Sequence, residues 1–156
     1  MAFVAVMVSS WPAMAEDNLL ATFEGVSTVV LTSSHPDISE VHLREIVEGR
    51  LRKNHLLLDG QPELGGRLTV QIASDHNNSG PGCSYTSYDV RLTVTEPATL
   101  DRSPGSRVLA VMWQRAMRVS VLGHQPEVPS NEVIDKVNDL TNAFVAAVAS
   151  ARQGAK

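Results

Sequence analysis

One cysteine, Cys83, stands in the whole chain, so no disulfide can form within it, and an oxidising compartment would leave that thiol buried, capped or paired with another chain. Burial is the expectation. No apolar run approaches the roughly 20 residues that a membrane-spanning helix needs, so no transmembrane anchor is expected. A basic excess is also missing: 13 Lys and Arg face 17 Asp and Glu, for a net charge of -4. That balance argues against nucleic acid as the main partner. Several chemical signatures are absent as well. There is no Cys-x-x-Cys, no His-Glu-x-x-His and no Gly-x-Ser-x-Gly. Gly80-Pro81-Gly82 lacks the third glycine and the following helix of a dinucleotide fingerprint, and Ser106 after Gly105 is ordinary loop chemistry. No catalytic residue and no cofactor are therefore expected.

At 156 residues, 43% apolar and 19% charged, the chain suits a single domain that hides about two-thirds of its extended surface on folding. Residues 2–8 form a short apolar run, and Ala13-Met14-Ala15 places small residues where a signal peptidase reads, ahead of Glu16. The expectation is a removable leader over 1–15 and one α+β domain over 16–156, in a periplasmic or secreted protein. The leader carries no charge before Glu16, whereas secretory leaders normally begin with Lys or Arg. The competing reading is a first strand or helix that stays in the mature protein. A lipid-anchored product needs cysteine where Glu16 stands, so no lipid anchor is expected.

The remaining pattern reads as β-α-β-β-β-β-α, or β-α-β-β-β-α if a short second strand is discounted. Residues 26–32 are rich in β-branched side chains and stop at Ser33-Ser34-His35-Pro36, which makes a first strand. Asp37, with Glu40 three positions on, predicts a helix start, and Leu43, Ile46, Val47 and Leu51 give that helix an apolar stripe. Arg44, Arg50, Arg52 and Lys53 are read as cations serving its C-terminal end. Asn54 is expected to close it in a left-handed conformation. His55–Leu58 is expected as a second strand, paired with the first through the helix.

Leu68, Val70 and Ile72, then Tyr88, Val90, Leu92 and Val94, alternate with polar residues as half-buried strands do. Residues 75–84 and 96–105 are expected as loops. Residues 107–114, extended to Val121, form a last strand whose poor alternation predicts either a central position covered on both sides or cover by a helix on one side and a partner on the other. Pro129-Ser130-Asn131-Glu132 opens a final helix, with Val133, Val137, Leu140, Phe144 and Val148 on its apolar side and fraying from Arg152 onward. The fold class is a two-layer α+β sandwich, a mixed sheet of four or five strands with two helices on one face.

Arg50-Leu51-Arg52 ending the first helix, Val70-Gln71-Ile72 in a strand, and Ala110-Val111-Met112-Trp113 in a late strand carry a resemblance across residue 25 to the end. In this order of elements the chain resembles the amino-terminal domain of TolB and a group of exported bacterial proteins. The resemblance implies a fold and an envelope location and leaves activity open.

Three functional readings follow. The preferred one is a non-catalytic module that binds another envelope protein, with strand addition at the edge formed by the first or second strand as its physical route; the competing reading is an edge blunted by its shortness and by His55. The second is a carrier of a small apolar ligand held between sheet and helices. The third is a metal-dependent enzyme centred on residues 75–84, where Asp75, His76 and Cys83 are all zinc-type ligands without a second cluster to complete a site. His35, His42, His55 and His124 lie on separate elements, with His42 read as solvent-facing and His55 within reach of Glu63. Glu96 and Asp101 share a loop without marks of acid and base roles. Asn77-Asn78-Ser79 matches a glycosylation acceptor, which matters only in a host that uses it.

Overall fold

The computed structural model describes residues 7–8, 16–59, 65–78, 84–100, 103–122 and 128–155. Its elements are β1 (Met7–Val8), α1 (Glu16–Ala21), β2 (Val26–Ser33), α2 (Glu40–Lys53), β3 (Gly66–Asn78), β4 (Ser84–Leu100), β5 (Ser103–Leu122) and α3 (Ser130–Gly154). The strands form one sheet in the order β1-β5-β4-β3-β2. β2 and β3 are parallel, joined through α2, while β3, β4 and β5 form an antiparallel meander and β1 pairs antiparallel with β5. This is the α+β sandwich expected, with a third, short helix added.

The sheet buries one face because its strands alternate. Leu68, Val70 and Ile72 of β3 and Tyr88, Val90, Leu92 and Val94 of β4 all point into the core, where Leu43, Val47 and Leu51 of α2 and Val133, Val137, Leu140, Phe144 and Val148 of α3 meet them. Ile46 is only half-buried. Phe144 sits at the centre of an aromatic group, its ring 5.7 Å from Phe23 and 5.4 Å from Trp113. Truncating such a side chain to alanine costs about 3–5 kcal/mol.

Several boundaries differ from the sequence expectation, each for a local reason. α2 begins at Glu40 because Ser39 caps it, its hydroxyl accepting from the His42 amide at 3.2 Å; Asp37 is not the cap. Its far end is closed by the Asn54 side chain, which donates to the Arg50 carbonyl at 2.8 Å. The left-handed residue there is His55, with φ of 55°, and not Asn54. α3 has Pro129 at its cap position with no side-chain cap. Its last turn is held, not frayed: Arg152 donates to the Phe23 carbonyl at 2.7 Å.

Residues 55–58 do not form a full strand. They make one parallel bridge, Leu57 to Val26, so the crossover joins β2 to β3. The polar stretches at 75–84 and 96–105 are strand at their described residues: β3 runs to Asn78 opposite Ser84, and β4 runs to Leu100 opposite Ser103. Cross-strand hydrogen bonds in a hairpin are available to any residue except proline donors, so polar sequence does not by itself end a strand. Among the described residues β5 is covered on one face, where α3 packs, and leaves Leu109 and Val111 exposed, which rules out cover on both sides. Its broken alternation comes from a register shift between Val94 and Thr95, which places Met112 and Trp113 side by side in the core.

Candidate interaction edge

The two long edges of the sheet are built differently. The β2 edge is closed in part, at Val26 and Val29, by its own neighbours. The Val26 amide donates to the Leu56 carbonyl at 2.7 Å, and the Leu58 amide returns to the Val26 carbonyl at 2.8 Å. Three residues on, Arg44 of α2 donates to the Val29 carbonyl at 3.0 Å. A cation and a short covering segment are two of the devices that keep an edge from templating another strand. Gly25 makes the covering possible: a Cβ there would lie 2.8 Å from the Leu56 carbonyl oxygen. The expected strand-addition edge, at the first or second strand, is thus occupied at Val26 and Val29.

The β5 edge lacks such cover among the described residues. Its only strand pairing there is with β1, Met7 opposite Arg118 and Val8 opposite Met117. Residues 107–116 have β4 on one side and no strand on the other among the described residues. Beyond Thr95, which is the last β4 residue that faces β3, β4 and β5 continue as a two-stranded ribbon from Glu96 opposite Ala110 to Leu100 opposite Ser103. Val108, Leu109 and Val111 are 38%, 56% and 53% exposed. Apolar residues of this size grouped on one strand mark an interaction surface more often than isolated ones do. β5 carries Arg107, Arg115 and Arg118 and no acid along its 20 residues.

Charges are paired on the wet face of the sheet. Arg118 grips Asp89 through two hydrogen bonds of 2.7 and 2.8 Å, and this holds the Asp89 carboxyl below its ordinary range, against a smaller opposing effect of burial. At the root of the ribbon a cavity of about 490 Å³ is lined by Thr22, Glu24, Glu96 and Arg107 among others. Burial, and then the neighbouring Glu24 carboxylate, push Glu96 upward.

The residues singled out from sequence are scattered. Asp75 and His76 lie in β3, opposite Ser87 and Thr86, while Cys83 lies outside the described residues, as do Glu63, Asp101, His124 and Gly80-Pro81-Gly82. Among the described residues no three His, Cys, Asp or Glu side chains gather as a metal-holding group. His42 is exposed, as expected. His35 is a buried structural residue: its Nε2 lies 2.8 Å from the Val128 carbonyl, its Nδ1 accepts from the Asp37 amide at 3.2 Å, and its ring stacks at 4.8 Å on Tyr88. Those two bonds fit a neutral ring protonated on Nε2. The cavities at the ribbon root and beside Thr32, Ser34, Glu40 and Gln71 are lined largely by polar residues, unlike a pocket for an apolar ligand. No described helix is long and apolar enough to cross a membrane.

Sequence foretold neither the β5 edge nor the ribbon. The signal available was the run Val108-Leu109-Ala110-Val111, where apolar residues continue without the polar alternation of a covered strand.

No family model and no curated protein matches the chain, so the resemblance to the TolB amino-terminal domain rests on element order alone. Among solved structures the chain is similar to the rare lipoprotein B from Shewanella oneidensis, at 16% identity and a TM-score of 0.31, covering 82% of this chain and 92% of that one. That protein is by its name a lipoprotein, and the expectation that this chain has no lipid anchor is withdrawn on that finding.

Proposed function

We propose that this chain is an exported envelope protein without catalytic chemistry, which works by holding another protein along the outer edge of β5 and the ribbon that extends it. The observation that carries the reading is the contrast between the two sheet edges: β2 is closed at Val26 and Val29, whereas β5 presents Val108, Leu109 and Val111 to solvent. Strand addition needs an unpaired backbone edge with side-chain pockets or patches beside it; in support, residues 107–116 have no strand on their outer side among the described residues and carry Val108, Leu109 and Val111. Export is supported by the apolar run at residues 2–8 and the Ala13-Met14-Ala15 site, with α1 beginning at Glu16, the first residue after that site.

The test is photocrosslinking in living cells, with a photoreactive residue placed at Leu109 and, for comparison, at Val41, which is 69% exposed on α2. The reading expects a discrete adduct from Leu109 and none from Val41. Adducts of equal yield from both positions, or from Val41 alone, would overturn it.

A further inference from the structure

The face of the sheet turned away from α2 and α3 bears arginines that no carboxylate engages. Leu68, Val70 and Ile72 point into the core, so Arg67 and Gln71 point outward, and both are exposed. The register continues that face across three strands: Arg67 lies opposite Thr95, Thr95 opposite Val111, and Gln71 opposite Arg91. Leu109 and Arg107, opposite Pro97 and Thr99, fall on the same face two and four residues from Val111, and both are exposed. We propose that this outer face is a docking surface for an acidic protein, whose carboxylates meet Arg67, Arg91 and Arg107 while its apolar side chains rest on Leu109 and Val111. The proposal rests on the reading that the chain works by holding another protein, and it adds the chemistry of that partner and the face that reads it.

None of the three arginines enters an ion pair among the described residues. Asp89, the acid two residues from Arg91 on the same face, is taken by Arg118 through both carboxylate oxygens. Asp75 stands at the far end of β3 opposite Ser87, Glu40 flanks Gln71 at the β2 edge, and Arg107 borders the cavity that holds Glu24 and Glu96. The chain as a whole has a net charge of -4, so an anionic partner repelled by the molecule at large is oriented toward these arginines. Arg67 and Arg91 stand four residues apart on neighbouring strands, about 14 Å between Cα atoms, and Arg107 lies a similar distance beyond Val111. Groups so spread do not converge on one phosphate or sulfate; they match carboxylates distributed over a surface. A second copy presenting the same face would set arginine against arginine, which is destabilising. Among the described side chains every Phe, Tyr and Trp is buried, so none supplies the ring contacts that anchor proteins at a lipid interface.

The test uses the full chain and a fluorescent glutamate peptide of about ten residues, long enough when extended to span the three arginines, with a lysine peptide of the same length beside it. Binding is read by anisotropy, and the glutamate peptide is expected to bind where the lysine peptide does not. Arg67→Gln, Arg91→Gln and Arg107→Gln together should weaken that binding about tenfold. The same change of charge on α2, Arg50→Gln with Arg52→Gln and Lys53→Gln, should weaken it less than about twofold. Unchanged unfolding midpoints in both sets show that the fold is kept. Equal losses in the two sets, or no binding of the glutamate peptide, would overturn the proposal. So would capture by phosphatidylglycerol vesicles through the three arginines without peptide binding, which marks a membrane surface instead. In cells, the sheet-face variant should also lower the yield of the Leu109 adduct. An adduct at full yield in that variant removes this inference and leaves the interaction edge; a glutamate peptide read by the three arginines, with no Leu109 adduct in the unaltered chain, keeps the face and removes the edge.

Discussion

The guanidinium of Arg44 spans from α2 to the Val29 carbonyl of β2, at 3.0 Å, while also holding Glu48 at 3.2 Å. One side chain thereby fixes a helix to a strand and caps a carbonyl that would otherwise face the open side of the sheet. Arg44→Ala removes a charge-assisted bond at a half-exposed site and is expected to cost about 1 kcal/mol. Urea unfolding checks this, with the midpoint falling and the slope unchanged.

Gly25 has a larger expected effect for its size. A methyl group there meets the Leu56 carbonyl oxygen at 2.8 Å and the Leu58 side chain at 3.0 Å, so the segment covering Val26 must move away. Gly25→Ala is expected to destabilise by about 1–3 kcal/mol. Amide exchange should show Val26, whose N–H is bonded to Leu56, losing protection first.

His35 joins the exit of β2 to the start of α3 through Val128. His35→Ala loses a buried ring against Tyr88 as well as two hydrogen bonds, and about 3 kcal/mol of stability should go with it. His35→Phe keeps the ring but strands the Val128 carbonyl and the Asp37 amide, for an expected cost of about 1–3 kcal/mol. Thermal unfolding that shows no loss for either variant would contradict the structural role given to this histidine.

The two shifted carboxyls act in opposite senses with pH. Asp89 is depressed in the folded chain, chiefly by its bond to Arg118, so its contribution is present above the ordinary carboxylate range and is lost as pH falls through the folded value. Glu96 is raised, chiefly by burial. The folded state therefore holds that proton more tightly, and stability declines as pH rises from the ordinary value to the folded one. Glu96→Gln is expected to raise stability at neutral pH and flatten that decline. Arg118→Ala should move the Asp89 titration upward. Carboxyl-carbon NMR of the two residues follows both shifts directly.

Periodicity made the core legible. Spacing alone puts Val133, Val137, Leu140, Phe144 and Val148 of α3 and Tyr88, Val90, Leu92 and Val94 of β4 on buried faces, and each of them is buried. Strand ends were harder to read, because Asp75 to Asn78 and Glu96 to Leu100 are polar or irregular in sequence yet pair along hairpins, and their stability comes from the partner strand. α1 left no readable pattern: six residues are too few for a period, and an isolated helix of that length is held only by packing, here through Leu20. The cover on β2 at Val26 and Val29 is not legible in the sequence either. What closes β2 is a helix arginine and a segment after the helix, contacts across the fold that no local spacing announces.

Amide hydrogen exchange on the chain starting at Glu16 tests the asymmetry of the two edges most directly. Slow exchange is expected at Val26, whose N–H is held by Leu56, and fast exchange at the outward-facing amides of residues 107–116, slowing when a strand partner is added. Uniform slow exchange along 107–116 without any partner, or fast exchange at Val26, would contradict it.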